Sequence, residues 1–490
     1  MCHRERRLAS LFLGFVSVAY VLWAGALIWR SSLVAMDGKR YFCLFDDAMI
    51  AMRYAWNLAH GNGCCWNVGE YVQGFTSPLM VGLMALPCAV FSKSSACLVV
   101  QLFGIPTVLG VAWYARRLFL LMTADRRLSL IVFVAVLAYY PLSYWSLMGM
   151  ETGLVCLLLL VALMYAVRHA IAGCTMAMCA AFLARPDFVV SALVILVFLG
   201  LAHRSRALMA AGVFATFVAL VFACQYLYFG DMFPNTYTLK LVGVPLGDRI
   251  KDGVGFVWPF LLGVLPMIGL AVAGMWPTVN RRKVLLLVLA SALFAYQVYV
   301  GGDPWPLWRM LTPMIPVMLT LAVPGARLLL RGSTLGAVGA VALSLVLCNL
   351  PFGREIRFKA KPYKSDETIL NVDTALVLNR ILPKGSSIGV EWAGALPYYT
   401  DFRAIDFLGK TDRNVARLKP DTTGKVGFSG MKSVPGHNKY NLIYSIVELK
   451  PDYIQLCEWA HSDVCGWADQ HYDWRRVDGI PVAIRKGLSP

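Results

Sequence analysis

The sequence predicts a polytopic α-helical membrane protein with about eleven transmembrane helices and a C-terminal α/β domain outside the cytoplasm. Three observations predict it. Of 490 residues, 58% are hydrophobic and only 15% charged, and a mean hydropathy of +0.62 exceeds that of ordinary soluble domains. Apolar runs of near-spanning length recur over the first 350 residues, with basic clusters in alternate loops. From Gly353 onward the composition becomes that of a soluble domain. A net charge of +17 would suggest nucleic acid in a soluble chain. Here the cations sit in short loops between apolar runs, as positive-inside loops do, so no nucleic-acid partner is expected.

The first element opens on Arg4, Arg6 and Arg7 and continues with about twenty apolar residues to Trp29, enough to cross the ~30 Å hydrocarbon core. "SLVAMDG" is a poor cleavage site, so the segment reads as an uncleaved anchor. The eleven runs lie near 10–29, 96–115, 128–142, 152–168, 172–184, 188–203, 207–228, 255–275, 284–300, 309–328 and 333–350. A further run at 77–92 is short and holds Pro78 and Pro87. Counted as a span it would put "ARRLFLLMTADRR" (115–127) outside, against the charge rule, so it is expected to be re-entrant or interfacial.

With that choice five basic loops face the cytoplasm: Arg116 and Arg117 with Arg126 and Arg127, Arg168 with His169, "HRSR" (203–206), "NRRK" (280–283), and Arg327 with Arg331. The outer loops are then Arg30 to Thr76, "SYWSLMGME" (143–151), "ARPDF" (184–188), "YFGDMFPNTYTLK" (228–240) and "GGDPWPLWR" (301–309). They hold eight of the twelve carboxylates of the first 310 residues. Carboxylates gathered at one membrane face predict a site there, because burying them in lipid is costly.

The expected domains are 1–351, a transmembrane part whose first outer loop (30–95) carries juxtamembrane helices, and 352–490, a soluble α/β domain with strands in "SSIGVEWAGALPYY" and "PDYIQL". Arg354, Arg357, Lys359, Lys361 and Lys364 directly after the last run oppose an outside placement unless they bind anionic lipid or a substrate phosphate. Cysteines within the apolar runs pack as small hydrophobes. Cys457 and Cys465, and Cys43, Cys64 and Cys65, are candidates for disulfides in an oxidising compartment.

The stretch "FDDAMIAMRYAWNLAHGNG" (45–63) places Asp46 and Asp47 at the start of a short helix. One reading is capping: Asp46 as N-cap, Asp47 at the positive end of the dipole, Gly61 as the stop. Capping explains one Asp better than two, since adjacent carboxylates repel. The other reading is a general base with a neighbour that tunes it or holds a cation. A helix N-terminus lowers a carboxylate's pKa and weakens it as a base, so a good leaving group must supply driving force.

Arg53 on the same helix either pairs with Glu70 at the surface or reaches a ligand. Arg185 and Asp187 interrupt an apolar stretch, as a salt bridge across a broken helix or as a functional pair. Glu151 opens a helix, either as a cap or as part of a site. Asp231, Asn235 and Lys240 share one outer loop; Asp303, Trp305 and Arg309 share another, whose tryptophans are interfacial anchors or stack on a sugar. Arg53, Arg185, Lys240 and Arg309 are the candidate phosphate ligands, Arg because its paired donors match phosphate. Carboxylates, cations and aromatics at a lipid boundary suit a substrate that is part lipid, part phosphate and part sugar.

"FDDAMIAMRYAWNLAHGNGCCWNVGEYVQGFTSPLM" resembles the first outer loop of GT-C fold glycosyltransferases, in particular the mycobacterial terminal β-(1→2)-arabinofuranosyltransferases and related pilin arabinosyltransferases. The resemblance continues in order through "SLMGMETG", "LARPDF", "YFGDMFPNTYTLK", "GGDPWPLWRMLTPMIP", "SIGVEWAGALPYYTDFRAIDFLGKTD" and "GHNKYN". Gln73 departs from it, standing where many relatives have an acidic residue.

The resemblance implies a GT-C-like membrane domain and an inverting transfer of a sugar, arabinofuranose or a similar pentose, from a polyprenyl-phosphate donor. The acceptor it implies is a cell-envelope glycan or a pilin-like protein, outside the bacterial cytoplasmic membrane. It maps the family's base onto Asp46, with Asp47 beside it, and brings Lys240, Arg309 and Arg185 toward the lipid phosphate. Glu151, Asp187, Asp231, Asn235, Asp303 and Trp305 are the expected substrate contacts. It fixes no cofactor and leaves a divalent cation open, with Asp46 and Asp47 as its candidate ligands. The competing readings are a lipid-linked sugar flippase or transporter, which would carry its ionisable groups near the midplane on facing repeats, and a non-catalytic glycan-binding membrane protein.

Overall fold

The computed structural model describes residues 3–421, 427–428, 431–432, 436–457 and 462–488; Met1 and Cys2 of the expected anchor lie outside them. The chain forms two units. The first comprises Met1–Arg30, Gln101–Leu220 and Ile250–Pro362, the second Ser31–Val100, Val221–Arg249 and Tyr363–Pro490.

Each of the eleven apolar runs contains a helix, though 309–313 are turn and the run 128–142 is broken at 138–139. Six helices are long and apolar enough to cross a membrane: Arg7–Ser31, Lys93–Thr123, Arg204–Phe229, Leu246–Ala273, Arg281–Val300 and Thr334–Ile356. Arg126–Leu137 with Tyr140–Leu147, bent by 53°, makes a seventh if counted as one span. Thr152–Val167, Ile171–Ala184, Pro186–Gly200 and Met314–Leu329 are shorter. At 1.5 Å per residue, 16 residues rise about 24 Å, less than the ~30 Å core. Helix lengths therefore give fewer full crossings than the eleven runs suggest.

Two of the short helices are interior pieces of the first unit. Twelve of the sixteen residues of Thr152–Val167 are buried, and twelve of sixteen in Met314–Leu329. Glycine permits the closest crossing: a Cβ on Gly325 would stand 1.9 Å from the Leu270 carbonyl oxygen, and one on Gly274 1.9 Å from that of Leu321. Backbones meet directly there, the packing that small residues allow between membrane helices. Pro186 breaks the next pair, holding Arg185 extended (φ −159°, ψ 125°) between Ile171–Ala184 and Val189–Gly200.

In the second unit the helix Asp46–Ala59 packs on Pro78–Cys88. The latter's 11 residues rise only about 17 Å and cannot cross a membrane. The C-terminal segment builds a five-stranded sheet in the order Arg403–Asp406, Ser387–Val390, Tyr453–Ile454, Ile480–Arg485, Tyr472–Val477. The first three strands are parallel, and the last two form a hairpin closed by Asp478 and Gly479, both at positive φ. An Asp-Gly pair in that conformation gives the twist a two-residue hairpin needs.

Ile405, Phe407, Ile446, Ile454 and Tyr472 form the core beneath the sheet. The strand expected in "SSIGVEWAGALPYY" stops at Val390, and Ala395–Thr400 is helical instead. Cys457 and Cys465 are unbridged, the Cys465 thiol donating to the Cys457 carbonyl at 2.8 Å; Cys43, Cys64 and Cys65 form no disulfide either.

Candidate functional site

Within the second unit, the carboxyl ends of the two parallel strands Ser387–Val390 and Arg403–Asp406 carry loops to the Asp46–Asp47 pair, the edge at which open α/β sheets present their functional loops. Phe45 is the N-cap, and no side chain caps the helix. Asp46 is thus the first helical residue rather than a cap, and its Oδ1 accepts from the Ala395 backbone N–H at 3.1 Å. Gly394 makes that approach possible, since a Cβ there would lie 2.4 Å from Asp46 Oδ1. Gly61 does stop the helix, at φ +78°.

Asp47 Oδ1 accepts from Lys410 Nζ at 2.5 Å, with both side chains mostly buried. The lowered pKa expected at a helix N-terminus is not what Asp46 shows. Burial lifts its carboxyl to about 6, and Lys410 and the backbone N–H groups offset only part of that.

The loop that carries Lys410 is pinned on two sides. Asp406 accepts from Leu408 N (3.0 Å), Thr411 N (2.8 Å) and Thr411 Oγ1 (3.1 Å). Asn235 Nδ2 donates to the carbonyls of Gly409 (2.8 Å), Lys410 (3.3 Å) and Asp412 (3.0 Å). Asn235 therefore sits behind the site as its clasp. Lys439 donates to the carbonyls of Thr238, Val242 and Ala416, and burial lowers its pKa to about 8. Lys240 is half-buried in the last turn of Asn235–Leu241, its stem along Gly436. Asp231 pairs with Arg413 and Arg417.

Arg53 is buried rather than at the surface, and it does not pair with Glu70. Its guanidinium donates to the carbonyls of Trp66 (2.5 Å), Pro397 (2.5 Å) and Phe402 (2.6 Å) and to Asn67 Oδ1 (3.1 Å), while Glu70 pairs with Arg403. Burial draws its pKa down to about 10. These bonds make it a clamp between the Trp66–Asn67 loop and the Pro397–Phe402 segment.

The first unit gathers the other predicted residues. Glu151 makes no capping hydrogen bond; it accepts instead from Arg185 Nη1 at 2.6 Å. Arg185 also forks onto Asp187 through Nε and Nη2. Arg309 makes the same bidentate fork onto buried Asp303 and lies 5.6 Å from the Trp145 ring centre. Trp305 is buried and so is no interfacial anchor. The loop holding it is fastened by Trp145 Nε1 donating to the Leu307 carbonyl at 3.0 Å.

Arg185, Asp187 and Arg309 line one narrow cleft with about 30 Å³ of free volume, walled by Val155, Leu159, Phe188, Leu293, Met310 and Pro313. Gln297 also lines it, and its side-chain oxygen is sealed from solvent without a hydrogen-bond partner in the protein. Buried polar atoms are seldom left so. Neither Lys410 nor Gln297 stood out in the sequence. The trace of Lys410 there is "DFLGKTD" (406–412), a glycine and two acids around one lysine.

A divalent cation does not fit the Asp pair. Among the described residues no three His, Cys, Asp or Glu side chains are grouped to hold a metal. The place beside Asp47 is taken by the Lys410 ammonium.

Residues 355–485 match the model of a family described as a domain of unknown function (DUF8728). No curated protein matches the sequence closely enough to count as a relative. Among solved structures, ArnT from Cupriavidus metallidurans bound to undecaprenyl phosphate is similar over 98% of this chain and 99% of that one, with a TM-score of 0.62 at 13% identity. The apo state of the same protein matches over 82% and 86% (TM-score 0.54, 16% identity). The apo oligosaccharyltransferase of Archaeoglobus fulgidus matches over 97% and 74% (TM-score 0.52, 12% identity). At such identities the likeness speaks for the fold: this chain has the fold of the GT-C glycosyltransferases.

Proposed function

We propose that the protein is a membrane glycosyltransferase that moves a sugar from a polyprenyl-phosphate carrier to an acceptor hydroxyl with inversion. The observation that carries this reading is the cleft of the first unit. Arg185 and Arg309, far apart in sequence, line it together with apolar side chains, which suits a phosphate joined to an isoprenoid chain. A solved structure of the same fold holding undecaprenyl phosphate supports it. The carboxylates of Glu151, Asp187 and Asp303 orient the two guanidiniums.

In the proposed reaction the acceptor oxygen attacks the anomeric carbon while Asp46 takes its proton. The bond from that carbon to the phosphate oxygen breaks, and the electron pair leaves on the phosphate, an already anionic leaving group. A carboxyl lifted to about 6 is a stronger base than an ordinary Asp and is still ionised at neutral pH.

The sugar we propose is a pentofuranose, on the ordered resemblance of the outer loops. The acceptor is a cell-envelope glycan or a pilin-like protein on the outer side of the cytoplasmic membrane. The test is transfer by the purified protein in liposomes from polyprenyl-phospho-arabinofuranose, with the product anomer read by NMR. Inverted product from the wild type and at least a hundredfold loss in Arg309→Gln are expected. Hydrolysis or transfer that ignores Arg309 would contradict the phosphate role.

A further inference from the structure

We propose that Lys410 is the resident cation of the Asp46–Asp47 pair, standing where a divalent ion would stand, so that proton removal there needs no metal. The activity part of this inference rests on the function proposed above; its binding part does not.

Three features support it. The ammonium lies 2.5 Å from Asp47 Oδ1, with side-chain exposures of only 14% and 16%. Lys410 faces three carboxylates, Asp47 in contact and Asp46 and Asp406 close by, and these hold it charged despite its burial. Its backbone is immobilised from opposite sides by Asp406 and Asn235, and Gly409 at φ +75° has no room for a Cβ against Val415. A lysine placed by so many bonds is not a solvated surface charge. An ion such as Mg²⁺ or Mn²⁺ needs about six oxygen ligands near 2.1 Å, and an ammonium already seated on one of the two carboxylates repels it.

The consequence is a positioning role. Lys410 holds Asp47 ionised and offsets the mutual repulsion of the pair, which lets Asp46 stay ionised while buried. Lysine does this as a compact charge with three donors, and arginine would keep the charge with a different reach.

The test uses the full chain in detergent and Mn²⁺ as the probe, read by electron paramagnetic resonance. Wild type should show no Mn²⁺ site that Asp47→Asn removes. Lys410→Ala should gain one site, absent again in the Lys410→Ala, Asp47→Asn double variant. In the transfer assay, wild type should keep its rate within twofold in excess EDTA. Lys410→Ala should fall at least a hundredfold and recover in part with millimolar Mn²⁺, and Lys410→Arg should keep more than a tenth of the rate without metal.

An Asp47-dependent Mn²⁺ site in the wild type, or loss of its transfer in EDTA, overturns the inference, and both readings are independent of how Lys410→Ala folds. So does a folded Lys410→Ala protein that gains no site. A wild type with no transfer at all, yet with the Mn²⁺ pattern described, would instead overturn the proposed reaction and leave the cation assignment standing.

Discussion

Replacing Asp46 by Asn should make the protein more stable and inactive. The carboxyl is lifted from 3.8 to about 6 by burial, which at 1.36 kcal/mol per pKa unit is a penalty of about 3 kcal/mol on the ionised folded state. The sign follows from proton binding. A carboxyl that holds its proton more tightly when folded costs nothing below about pH 4, costs progressively more between about pH 4 and 6, and carries the full penalty above. Asn bears no charge, and its amide oxygen can still accept from the Ala395 N–H.

At pH 7.5 the variant should therefore gain up to about 3 kcal/mol. For a unit of roughly 230 residues that is about 5–10 °C in thermal midpoint. Intrinsic tryptophan fluorescence in detergent, scanned from pH 4 to 8, measures it, and the advantage should shrink toward zero at the acid end. Transfer should fall about 10²–10⁴-fold, the range for loss of a general base. A variant no more stable than wild type at pH 7.5, or one whose difference ignores pH, would refute the desolvation argument. Near wild-type transfer would refute the base assignment.

Other perturbations separate structure from chemistry. Arg53→Lys cannot reach the four acceptors the guanidinium holds and should cost about 2–4 kcal/mol in thermal or denaturant melts, with donor affinity unchanged in the fraction that folds. Gln297→Leu should leave the melting midpoint level or raised, because it removes an unpartnered oxygen, and should raise KM for the lipid-linked sugar about tenfold. Gly325→Leu should lower the midpoint by more than 10 °C or prevent folding, since its Cβ meets the Leu270 carbonyl. Gly339→Leu, with nothing within 4 Å of its Cβ, should be nearly neutral.

The sequence showed some of this more plainly than the rest. Apolar runs marked the long membrane-domain helices because burial or lipid on all sides demands continuous hydrophobicity, but Tyr140–Leu147 falls largely in a stretch read as a loop, and helix length, and so the number of full crossings, depends on breaks such as Pro186 that run-counting blurs. Arg185 with Asp187, and Arg309 with Asp303, were visible as neighbours in the chain. Glu151 joining Arg185 was not, because only tertiary packing brings them together.

Asp46 and Asp47 were singled out by being adjacent, but spacing carries no trace of the loop that meets them 363 positions away. The pKa direction for Asp46 came out opposite for the same reason: the helix dipole is a local term, and desolvation is a tertiary one. Arg53 read as a surface charge because a helical position does not reveal that three carbonyls from distant loops converge on it.

The most direct test is a single-turnover reaction of the purified chain with radiolabelled polyprenyl-phospho-arabinofuranose and a short arabinan acceptor. Wild type should release polyprenyl phosphate and yield one inverted product, and Asp46→Asn, although folded and more heat-stable, should yield none. Wild type that leaves the donor intact, or an Asp46→Asn chain that turns it over at the same rate, would contradict the account.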